Sequence, residues 1–119
     1  MSFISSDEPM VNYGVVSGIV ERLGTLSRTG FGGWILTFGL RNRIERPAGE
    51  GYESREKVSV LAVEAWGALA REMSELLEEG SSVLVEGEIL SRDYEDRTKA
   101  VHHRMVIKAW NIQLLDAPA

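Results

Sequence analysis

VEAWGALAREMSELLEEGSSVLVEGEILSRDYED, residues Val63–Asp96, changes its hydrophobic period twice. Lys57–Trp66 alternates, with Leu61, Val63 and Ala65 on one side and Glu64 and Trp66 on the other, which is the period of a strand. From Ala68 the apolar residues Leu69, Met73, Leu76 and Leu77 recur at helical spacing, which predicts a helix over Ala68–Glu79 stopped by Gly80. Period two returns over Ser81–Ser91, where Val83 and Val85 oppose Leu84, Glu86 and Glu88. Arg92–Lys99, RDYEDRTK, is polar throughout and is expected to form a hairpin tip.

Outward from this stretch the chain is strand-forming. Val101–Leu115 sets Met105, Ile107 and Ala109 against Arg104, Val106, Lys108 and Trp110. Upstream, Trp34–Arg43 places Trp34, Leu36, Phe38 and Leu40 on an apolar face and Thr37, Gly39, Arg41 and Arg43 on a polar one. Val11–Leu23 is a strand with a bend or close contact at Gly14 and Gly18. Ser27–Gly33 has turn chemistry, and Glu45–Arg55, with Pro47, Gly49 and Gly51, is expected as a loop. The order is three strands, a helix and two strands. That makes an all-β fold, the five-stranded oligonucleotide/oligosaccharide-binding (OB) barrel with its helix between the third and fourth strands.

The 119 residues suit one domain over 11–115, with a loose arm over 1–10 and a short C-terminal end over 116–119. A chain that is 44% hydrophobic and 26% charged is too apolar for disorder. Cysteine is absent, which removes disulfides, thiolate metal sites and a cysteine nucleophile. With no signal-like N-terminus and no long apolar run, a cytoplasmic location and no membrane contact are expected. The net charge of −5 argues against a nucleic-acid partner, but its distribution does not. Glu64–Glu88 holds seven acids against Arg71 alone, leaving 12 basic and 11 acidic residues elsewhere.

Enzyme chemistry finds little support. His102 and His103 are adjacent on a strand, so they point to opposite faces and cannot clasp one metal. Gly30-Phe31-Gly32-Gly33 leads into a strand, where a dinucleotide fingerprint needs a helix, so a tight hairpin turn is expected. No cofactor, metal or catalytic residue is expected. The rings and cations say more. Trp66 ends a strand at an outward position, either as a cap on the core or as a ligand-binding ring. Tyr94 sits among Arg92, Asp93, Glu95, Asp96 and Arg97, where a stacking platform explains it better than chance. Trp34 belongs with the core, and Trp110 stays ambiguous. Arg41, Arg43, Lys57, Arg92, Arg97, Lys99 and Arg104 are singly ordinary solubility charges. Together with the rings they suggest a groove for a single strand, because every base offers a π-face and every nucleotide a phosphate.

Trp66-Gly67, the following helix, Glu79-Gly80-Ser81, Val83-Leu84-Val85-Glu86-Gly87 and Arg92-Asp93-Tyr94 resemble the bacterial single-stranded DNA-binding protein family. The likeness extends through VNYGVVSGIVERLG (Val11–Gly24), LTFGLRNR (Leu36–Arg43) and VIKAWNIQLL (Val106–Leu115). It implies base stacking on Trp66 and Tyr94 and a basic contact from Arg92. It also implies protection of single-stranded DNA in replication, recombination or repair, and a homotetramer built as two dimers, with a dimer as the smaller possibility. Ile44 and Val60 stand where many members carry further stacking tryptophans, and Glu79 replaces a basic residue. The chain ends Leu-Asp-Ala-Pro-Ala, so recruitment of partners through an acidic, Phe-ended tail is not expected.

The expectation is therefore a non-enzymatic binder of single-stranded DNA with little sequence preference. The alternative is an OB-fold interaction module or replication accessory subunit with weak DNA affinity. The helix acids Glu72, Glu75 and Glu79, spaced three and four apart, are expected to form a solvated side that DNA avoids.

Overall fold

A computed structural model describes residues 10–49, 51 and 55–115. Six strands and one helix follow in the order β1 (Gly14–Glu21), β2 (Ser27–Arg28), β3 (Trp34–Arg46), β4 (Arg55–Trp66), α1 (Gly67–Leu76), β5 (Ser82–Glu95) and β6 (Val101–Leu114). Neighbours run β1-β5-β6-β4-β3-β2, and an added β1–β3 pairing closes the five long strands into a barrel. The expected OB order holds, with the helix between the third and fourth long strands. The arm over 1–10, Met10 apart, and the end over 116–119 lie outside the described residues.

Alternation builds the core. Leu36, Phe38 and Leu40 of β3, Val63 and Ala65 of β4, Val83 and Val85 of β5, and Ile107 and Ala109 of β6 are all buried. Trp34 packs against this cluster. Two glycines let the barrel close. At Gly18 a Cβ would overlap the Arg41 carbonyl, where β1 crosses to β3, and at Gly87 it would overlap the Lys108 carbonyl. Gly87 sits at a register shift in β5, paired with Gly14 on one side and Ala109 on the other. A bulge without a side chain bends the strand sharply enough to serve both neighbours.

Several expected boundaries move. Ser27–Gly33 contains the two-residue β2, held by Ser27↔Ile35 and Arg28↔Trp34, and the Thr29–Gly33 turn follows it. The loop expected from Glu45 starts later, because β3 pairs with β4 out to Arg46↔Arg55. Arg92–Glu95 is strand, not hairpin tip, since Tyr94 pairs with His102 and Glu95 with Val101. Only Asp96–Ala100 turns. α1 ends at Leu76, short of Glu79, and leaves Leu76 half exposed. Leu77 adopts an extended conformation and buries its side chain, so the chain leaves the helix to reach the barrel. Gly80 N then donates to Val20 O, and Val20 N to Ser81 O. Glu79 accepts from Leu23 N at 3.2 Å, so it is not part of a helix face with Glu72 and Glu75.

Candidate nucleic-acid interface

Residues opposite one another in a ladder share a face. On β4 the outward set is Val60, Ala62, Glu64 and Trp66, whose β3 partners are Arg41, Gly39, Thr37 and Ile35. The parallel β6 sets Val106 beside Ala62 and Lys108 beside Glu64. Along the β5–β6 hairpin, Arg92 opposes Arg104 and Tyr94 opposes His102. The register thus gathers Trp66, Arg92, Arg104 and Tyr94 on one continuous outer surface, bordered by Arg41.

Glu64 is the hub of this surface. It is only 7% exposed. Arg92 donates to it through Nε at 3.1 Å and Nη2 at 2.8 Å, and Trp66 Nε1 donates at 3.1 Å. Burial alone would raise the Glu64 carboxyl, but the bonds from Arg92 and Trp66 and the charges of Arg92 and Arg104 outweigh it and hold it below the usual range. The buried charge is thereby neutralised, and the Trp66 indole is fixed by its own N–H. Lys108 Nζ lies 5.5 Å from the Trp66 ring centroid. Trp66 is half-buried and lies outside the set packed on the core, which disfavours the core-cap reading.

On the hairpin, Tyr94 is 53% exposed and stacks on His102 with centroids 5.0 Å apart and planes 19° from parallel. His102 Nε2 meets Asp96 Oδ2 at 2.6 Å. Asp96 also accepts from Thr98 Oγ1 and from the Thr98 and Ala100 amides. Those bonds, that of the Thr98 hydroxyl foremost and then His102's, pull its carboxyl down to about 2. A turn pinned this way holds the two rings as a single platform. His103 contacts Asp93 instead, so the two histidines diverge as strand alternation requires.

The remaining cations are scattered more widely. Arg41 pairs with Glu21 at 3.7 Å, and Arg43 with Glu56 at 2.9 Å and Glu45 at 4.0 Å. These pairs are exposed and weak, so both side chains can exchange a carboxylate for a phosphate. Lys57 opposes Ile44 and so lies on the other face of the β3–β4 hairpin from Arg41 and Arg43. Arg97 and Lys99 are exposed in the Asp96–Ala100 turn. Trp110 stacks on Tyr13 at 5.8 Å. Among the described residues no group of three or more His, Asp or Glu could hold a metal, and no helix is long and apolar enough to cross a membrane.

Sequence reasoning missed Glu64, His102 and Lys108. An outward acid reads as solvated, and only cross-strand register reveals that Glu64 is the partner of Arg92. His102 could have been found by pairing Tyr94 across a tighter turn. Arg22 has φ of 50°, which no sequence pattern forecasts.

Residues 11–115 match the model of the single-strand binding protein family. A relative from Treponema pallidum (strain Nichols), described as a single-stranded DNA-binding protein, is 30% identical over 105 residues, 88% of this chain. The chain spans 58% of that relative's length. Among solved structures, a Plasmodium falciparum SSB complex with ssDNA superposes with a TM-score of 0.79 at 16% identity, covering 92% of this chain and 98% of that one. That likeness concerns the fold. With the barrel, the outward ring-and-arginine surface and a match over nearly the whole described chain, this protein belongs to the single-strand binding protein family.

Proposed function

We propose that the protein binds single-stranded DNA with little sequence preference. Bases stack on Trp66 and on the Tyr94–His102 platform, and phosphates meet Arg104, Arg41, Arg43, Arg97 and Lys99. Arg92 serves twice, holding Glu64 and offering its remaining donors to the strand. Lys57 serves only where the strand passes over the end of the β3–β4 hairpin. The observation that carries this reading is the outer surface itself, where the acid at its centre is already paired and rings stand among cations. The family, the relative's description and the DNA held by the Plasmodium protein support it. Stacking is sequence-tolerant, so low selectivity follows. Binding, with no covalent step, is the whole activity, and protection of single strands during replication, recombination or repair in the cytoplasm is its use.

The protein acts as a homotetramer of two dimers. β1 pairs with β3 only from Ile19 onward and Asn42 Nδ2 covers the Ser17 carbonyl, so the edge of Gly14–Val16 away from β5 is left to pair with a second copy, with Val11, Tyr13 and Val15 exposed around it. Light scattering should report a multiple of the 13.2 kDa chain, and a monomer at micromolar concentration would contradict this assembly.

An oligo-dT titration across salt tests the function. Log affinity should fall linearly with log salt at about −0.7 per phosphate contacted, so three contacts give about −2. Absence of binding at low salt would instead favour an interaction module on the same barrel.

A further inference from the structure

A groove of about 340 Å³ opens on the outer surface between the hairpins. Arg22 and Arg104 line it together with Thr37, Gly39, Val60 and Ala62. Its floor is made by small residues, because Gly39 of β3 pairs with Ala62 of β4. β1 borders the floor on one side and β6 on the other, so Arg22 and Arg104 enter from opposite walls. Three strand spacings of ~4.8 Å put their backbones roughly 14 Å apart. Two long side chains reaching inward across that span leave room for one sugar and base between them.

Three observations favour an anionic occupant. Neither Arg22 nor Arg104 has an ion-pair partner among the described residues. The acids beside the floor are already engaged: Glu64, on which the Arg104 charge also acts, is bonded to Arg92, and Glu21, whose Cγ lies against Gly39, pairs with Arg41 at 3.7 Å. And Arg22 sits at φ of 50°, a left-handed conformation that a long side chain adopts only under constraint. Such a conformation, at a residue that lines a groove, is a place to look for a held ligand. The volume lies at the lower end of small-ligand sites, which run from ~300 to 1,000 Å³. It suits one nucleotide and not a stacked run.

We infer that this groove seats a single nucleotide of the bound strand, with Arg22 and Arg104 holding the phosphates on either side of it and its sugar and base lying over Gly39, Ala62 and Val60. The inference rests on the single-strand reading above and adds a site to it. Arg22 becomes a phosphate contact, and the groove becomes the mid-point between Trp66 and the Tyr94–His102 platform.

Arg22→Gly, Arg104→Ala, their double variant and Ala62→Leu, titrated with labelled oligo-dT across salt, test it. Each arginine variant should reduce the salt slope by about 0.7, and the double variant by about 1.4, one phosphate per side chain. Arg22→Gly should also melt at or above the wild-type temperature, since glycine accepts the left-handed backbone freely. Ala62→Leu fills the floor without touching a charge, so affinity should fall at least fivefold with the slope nearly kept. Wild-type slopes in both arginine variants, or undiminished affinity in a folded Ala62→Leu, would overturn the groove assignment while leaving single-strand binding in place. Failure of the wild-type protein to bind oligo-dT would sink the underlying reading instead.

Discussion

Glu64 and Arg92 link stability to the binding surface at the level of single residues. Glu64 has almost no water, and its carboxylate is satisfied by Arg92 and Trp66. Arg92→Ala should therefore destabilise the fold by about 2 kcal/mol, below the 3–5 of a fully buried pair because the Arg92 side chain is 40% exposed. Urea melts would measure it. The pH dependence has a definite sign. A carboxyl held below its ordinary value of 4.5 contributes stability above that value, lost as pH falls through the lowered one. Without Arg92 the carboxyl rises from its wild-type position, so the deficit of Arg92→Ala should shrink as pH falls through the range between the two. A deficit constant with pH would contradict the pairing. Trp66→Ala should weaken oligo-dT binding about tenfold or more in a folded protein, from roughly 1–3 kcal/mol per stacked base. The types at Trp66 and Arg92 were legible in the sequence. Their shared acid was not, because its burial comes from β6 lying parallel to β4, a contact across more than 40 residues that no local pattern carries.

Among the elements, the β5–β6 hairpin shows how polarity misleads. RDYEDRTK reads as a turn because nothing in it is apolar, yet Arg92–Glu95 continues β5 beyond the barrel, where both faces meet water and alternation is invisible. Backbone pairing and the Asp96 turn hold it there. Asp96→Asn should weaken the turn, raise amide exchange at Thr98 and Ala100, and lower oligo-dT affinity severalfold by loosening the Tyr94–His102 platform. In the wild type the same loosening should grow as pH falls below the ordinary 3.8 and be complete only below about 2, where Asp96 in the closed turn protonates. A loss already complete near its ordinary value of 3.8 would contradict the bonding around it. The helix was legible from its spacing but not its end. Leu76 and Leu77 are equivalent in sequence, and only the barrel's position decides that Leu77 is the one buried.

Across the whole molecule, charge is partitioned. Glu72 and Glu75 are exposed on α1, whereas Arg41, Arg92 and Arg104 stand on the strands, so a chain of net charge −5 still carries a strand surface with cations. Glu72→Lys with Glu75→Lys should leave the stacking contacts intact and add only salt-sensitive, non-specific affinity; abolished binding in a folded protein would place the helix on the DNA path. The order of the five long strands was legible because alternation survives wherever one face is buried. Barrel closure depends on Gly18 and Gly87, whose role lies in distances to Arg41 and Lys108 and not in any motif. Stacking on Trp66 is tested most directly by the three indole N–H signals of Trp34, Trp66 and Trp110 in a nitrogen–proton correlation spectrum, followed while oligo-dT is added. The Trp66 signal should shift strongly as its bond to Glu64 is perturbed by a stacked base, while that of Trp34, packed on the core, stays in place. A bound complex in which Trp66 does not move would contradict it.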